Sequence, residues 1–137
     1  MNTDATTAAD RDGETVTVVD GPPAQDPPRF AMSLTTLPSG TRVVGVSGEV
    51  DIATADVFGD LLLAALDLDH PHVVVDAEHL EFCDAQGLRA LTAAADLAEA
   101  LGGRVTIVNA RPLVVRLLRI TGLCRRFAVR AAAAQPN

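Results

Sequence analysis

The chain contains no lysine, tryptophan or tyrosine, and only four phenylalanines and two cysteines in 137 residues. Each shortage excludes a class of function. With a formal net charge of −7 and no aromatic side chains interleaved among basic ones, direct nucleic-acid binding is excluded. Cys83 and Cys124 lie far apart without a CxxC pair or a ligand-spaced histidine, so zinc is not indicated. His70, His72 and His79 have no cysteine or carboxylate pattern to complete a metal set, and read as surface histidines near loop ends. The longest apolar run, residues 61–66, falls far short of the ~18–20 residues of a membrane span. The first residues, MNTDATTAADRDGE, are too acidic and polar for a secretory signal, which implies a cytoplasmic protein.

What is present is a 48% hydrophobic composition, enough for one folded domain with a single core. All eleven basic residues are arginine, in keeping with a GC-rich genome. Charge is unevenly distributed. Residues 41–88 hold ten acidic side chains against Arg42, whereas residues 89–137 hold eight arginines against Asp96 and Glu99. Solvated faces explain such an asymmetry, and it also suits steering of a charged protein partner.

Residues 1–28, with six acids against Arg11 and clustered prolines, read as a mobile tail, although Glu14 to Val19 (ETVTVV) is strand-like and suits pairing with a sheet edge. Alternating Phe30, Met32 and Leu34, then Pro38-Ser39-Gly40, then Val43 to Gly48 spell a hairpin. A helix follows Thr54, burying Val57, Phe58, Leu61, Leu62 and Ala65. Val73-Val74-Val75 implies a central strand buried on both sides, and the next helix runs from Leu88 to the stop at Gly102-Gly103. A strand over 104–109, a helix opened by Pro112 with Leu113, Val114, Leu117, Leu118 and Ile120 or Thr121 inward, and a last strand at Phe127-Ala128-Val129 complete the pattern. The order β-β-α-β-α-β-α-β predicts an α/β domain over 29–132, with 133–137 a short tail. Its central sheet is mostly parallel with an antiparallel N-terminal hairpin, and its helices lie mainly on one face.

The most informative segment is VVVDAEHLEFCDAQGLRA, residues 73–90. A buried strand delivers Asp84-Ala85-Gln86-Gly87 to a helix N-terminus, where unpaired amides favour an anion or a regulatory contact. Gly48-Glu49-Val50-Asp51-Ile52-Ala53-Thr54 repeats the theme, a strand ending in Asp51 with Thr54 as helix cap. Together with VTIVN (105–109) and LLRITGL (117–123), these segments resemble the STAS domain family of anti-sigma factor antagonists, of the kind found in actinobacteria, over residues 30–130.

That resemblance implies a binding protein regulating transcription in stress responses, with no enzymatic activity and no cofactor. Its partner would be a kinase-type anti-sigma factor, contacted through Asp51, Thr54, Asp84, Ala85, Gln86, Gly87 and Arg89. Asp84 would cap the helix and Gly87 would admit the partner's backbone. In the family the residue after the aspartate is a serine whose phosphorylation breaks the complex by charge repulsion and desolvation. Here it is Ala85, which has no hydroxyl, so that switch is absent. The alternative is a STAS module of a larger stress-sensing or lipid-transport complex. A monomer or weak dimer without membrane insertion is expected. A redox switch through Cys83 and Cys124 is a further option, but cytoplasmic disulfides are rare and Cys83 stands where the family carries Ile or Met, so free thiols are expected.

Overall fold

The computed structural model describes residues 5–10, 13–20 and 30–130. The elements are β1 (Ala5–Asp10), β2 (Gly13–Asp20), β3 (Phe30–Thr36), β4 (Arg42–Val50), α1 (Ala55–Ala64), β5 (His72–Cys83), α2 (Ala85–Ala100), β6 (Arg104–Val108) and α3 (Pro112–Ile120). They form one six-stranded sheet in the order β1-β2-β3-β4-β5-β6. β1 through β4 pair antiparallel, while β4, β5 and β6 run parallel.

The expected hairpin is β3 and β4, closed at Gly40, whose φ of +92° is a conformation glycine adopts without Cβ strain. Glu14 to Val19 lies within β2, and β2 pairs with β3 as an edge would allow. The segment read as a tail thus contributes β1 and β2 to the sheet; residues 133–137 lie outside the described residues.

Side chains on β3 to β6 alternate in burial. Phe30, Met32, Val44, Val46, Val73, Val75, Val105 and Ile107 are each at most 3% exposed, and they share one core with Phe58, Leu62, Leu91, Ala95, Val114 and Leu118 from the three helices. All the helices therefore feed the same face of the sheet. This corrects the two-sided reading of the valine run: Val74, between two fully buried neighbours, is only half-buried, because the helices cover a single face.

α2 ends at Gly102-Gly103 as expected. The Gly102 amide donates to the Glu99 carbonyl and the Gly103 amide to that of Ala98, a Schellman motif, and Gly122 and Leu123 close α3 in the same way. Two readings of the C-terminal part fail. Leu113 and Ile120 of α3 point outward, because the face packed on the core is Val114 and Leu118, flanked by half-buried Val115 and Leu117. Residues 127–129 form no strand. Ala128 has a φ of +49°, which breaks extension, although the Phe127 carbonyl and the Arg130 amide still bond to Ile107.

Candidate functional site

β4 and β5 run parallel, so the loops after them emerge at the same end of the sheet. Val50 and Cys83 are register partners there, and the Asp84 amide donates to the Val50 carbonyl at 3.1 Å. Two motifs distant in sequence thereby become one surface.

Asp84 takes an extended conformation and caps α2. Its Oδ1 accepts from the amides of Gln86 at 2.9 Å and Gly87 at 3.3 Å. The helix N-terminus is therefore not bare; two of its open amides are already bonded to a carboxylate. Ala85, Gln86 and Arg89 are exposed around this cap. Gly87 is buried, which corrects its expected role. A Cβ there would stand 2.5 Å from Cys83 Sγ and 2.8 Å from Val50 Cγ1, so the glycine lets the first turn of α2 sit on β4 and β5 rather than admitting a partner's backbone.

In the neighbouring loop, Asp51 Oδ1 accepts from the Ala53 amide at 2.9 Å, and the Asp51 carbonyl accepts from Thr54 and Ala55. Thr54 stands at the N-cap of α1 as read, but it makes no side-chain cap. It is 3% exposed; its Oγ1 accepts from the Asp51 amide and donates to the Glu49 carbonyl. Thr54 therefore holds the loop shut and does not face outward. Sequence reasoning also missed Ile52 and Phe82, which are 80% and 45% exposed beside Asp51 and Cys83. The available signal was a large apolar residue directly next to each polar motif.

A groove runs along either side of the α2 turn. One is lined by Asp56, Asp60 and Leu63 of α1 with Gln86 and Arg89, the other by Ala85, Leu88, Arg89 and Thr92 with Thr121 and Leu123. Arg89 borders both. Among the described residues, no group of three histidine, cysteine or acidic side chains is placed to hold a metal ion. His70 instead closes the turn before β5, with its amide and Nδ1 both on Asp67 Oδ1, which holds that carboxyl below its usual range. No helix among the described residues is long and apolar enough to cross a membrane.

The family model described as Mlab, STAS domain, matches residues 33–130. The chain belongs to the STAS domain family. Among its relatives is the anti-sigma F factor antagonist of Paenibacillus polymyxa, 31% identical over 85 residues that span 61% of this chain and 73% of that protein. The crystal structure of an anti-sigma factor antagonist from Mycobacterium paratuberculosis superimposes with a TM-score of 0.64 at 30% identity, covering 74% of this chain and 85% of that one. The antagonist SpoIIAA in its unphosphorylated form gives 0.63 at 20% identity over 76% and 89% of the two chains, a likeness of fold.

Both cysteines of this STAS domain are free thiols. Cys83 is buried beneath the α2 turn, and burial, with the Asp84 charge adding to it, pushes its pKa from an ordinary 9.0 up to about 12. The folded thiol resists ionisation that the unfolded chain undergoes near pH 9, so this group's contribution to stability is present below about pH 9 and is lost as pH rises toward about 12. Alkylation at neutral pH is accordingly expected to label the partly exposed Cys124 first. Peptide mapping after iodoacetamide checks this, and preferential labelling of Cys83 would contradict it.

Proposed function

We propose that this STAS domain is an anti-sigma factor antagonist. It binds a kinase-type anti-sigma factor in the cytoplasm, frees a sigma factor for transcription in a stress response, and catalyses no reaction. The binding unit is residues 29–132. The contact surface is Asp51 and Ile52 in one loop, and Asp84, Ala85, Gln86 and Arg89 at the start of α2. Thr54 and Gly87 act from within, by holding the two loops in shape.

One observation carries this reading. The Asp84-capped turn projects Ala85 and Gln86 outward while the Asp84–Val50 bond docks that turn against the Asp51 loop. The two Asp84 carboxylate bonds and the Asp84–Val50 bond fix the turn before it meets a partner, so less ordering entropy opposes binding. The same surface lacks a hydroxyl at Ala85, so phosphorylation cannot release the partner from this turn.

The alternative reading is a STAS module of a larger assembly, a stress-sensing or a lipid-transport complex. Affinity purification of the tagged full chain from its own cells separates the two. Recovery of a kinase-type anti-sigma factor is the expected result, and recovery of transporter subunits in its place would sink the antagonist reading.

A further inference from the structure

α3 displays an outer face that no described residue covers. Leu113 is 59% and Ile120 73% exposed, and two helical turns separate them, so they share one stripe with exposed Arg116 between. Residues 111–130 contain six arginines and no carboxylate. Arg126 is held by Asp96 and Glu99, and Arg111 by the Glu78 carbonyl. The guanidinium groups of Arg116 and Arg119 have no hydrogen bond or ion pair with any described residue.

α1 presents the opposite surface. Asp56, Asp60 and Leu63 recur at intervals of four and three, which places them on one exposed stripe, and no basic residue occupies the last turn. Neither aspartate is ion-paired among the described residues. The chain therefore carries both halves of a complementary pair: an apolar and basic stripe on α3, and on α1 two aspartates beside exposed Leu63, with Arg89 of α2 across the groove. They sit on different helices, and no ion pair links α1 to α3 within the domain.

We propose that the α3 face of one copy docks on the α1 face of a second copy. Arg116 and Arg119 meet Asp56 and Asp60, with Ile120 and Leu113 against Leu63. The contact is head-to-tail, so a docked pair retains one free α1 face and one free α3 face, and the assembly grows with concentration instead of closing as a dimer. The net charge of −7 opposes approach of like copies, which keeps the association weak.

Sedimentation velocity of the full chain across a concentration series tests this, with circular dichroism confirming the fold of each variant. The wild type is expected to show a rising weight-average mass. Arg116→Glu with Arg119→Glu, Asp56→Arg with Asp60→Arg, and separately Ile120→Ser are each expected to weaken association about tenfold or more. The decisive sample mixes the two charge-reversed proteins. The glutamate-bearing α3 of one then matches the arginine-bearing α1 of the other, so the mixture should associate where neither component does alone. A wild type that stays monomeric throughout, variants that associate like wild type, or a mixture that fails to associate would each overturn the proposal. So would a monomeric wild type whose α3 arginines instead confer binding to phosphatidylglycerol vesicles.

Discussion

Ala85→Glu is expected to weaken binding of the anti-sigma factor by about a hundredfold while leaving the domain folded. Ala85 is the first residue of α2 and is exposed beside the Asp84 cap. A carboxylate in the first turn interacts favourably with the helix dipole, so stability should hold or rise by about 0.3–1 kcal/mol. Binding suffers for a separate reason. In a docked interface the new charge must lose its water beside the Asp84 carboxylate, and no basic group lies in the turn until Arg89. Calorimetric titration and urea unfolding, run on the same samples, separate the two effects. Binding equal to wild type from a folded variant would remove the α2 turn from the contact surface.

Gly87→Ala is expected to destabilise the domain by about 1–3 kcal/mol, the usual range for overpacking. The added methyl has no room: Cys83 Sγ and both Val50 Cβ and Cγ1 lie within 3.3 Å of its position. Relief requires the first turn of α2 to lift from β4 and β5, which also strains the Asp84–Val50 bond joining the two loops. Removing the sulfur should recover part of the loss. Gly87→Ala combined with Cys83→Ala is therefore expected to be less destabilised than the two single changes summed, a coupling readable by urea unfolding of all four proteins. Full additivity would mean that the α2 turn does not pack on Cys83 as described.

The sequence exposed the parts of this fold whose chemistry is local. Strand alternation at Phe30 and Met32, the glycine stops at Gly102-Gly103 and Gly122, and the Asp84 cap each depend on residues within a few positions of one another, and each stands where the pattern placed it. What depended on distant packing was not visible. Val73-Val74-Val75 has the composition of a strand buried twice, but burial of Val74 depends on where the helices go. Leu113 and Ile120 look inward by composition, and only the docking angle of α3 turns them out. The ATTAAD segment of β1 carries no apolar alternation, so its pairing with β2 left no periodic signal.

The site was legible in the same uneven way. The two motifs were recognisable, and the structure joins them through Val50 and Asp84. Their internal division of labour was not. Thr54 and Gly87 read as contact residues from the family resemblance, whereas here one is bonded on both sides and the other fills a gap too tight for a side chain. Ile52 and Phe82 were passed over because their exposure is set by the loop and the sheet edge, not by any short-range pattern.

The central claim is that partner binding runs through the α2 turn and is not switched by phosphorylation there. It is tested most directly by measuring affinity for the kinase-type anti-sigma factor before and after incubation with ATP, for the wild type and for Ala85→Ser. The wild type is expected to bind equally well in both conditions, with no phosphate on residues 84–87. Ala85→Ser should bind like wild type at first, then gain one phosphate at residue 85 and lose its partner. Loss of wild-type binding after ATP, with phosphate at another hydroxyl such as Thr92 on the flank of the same helix, would contradict the account.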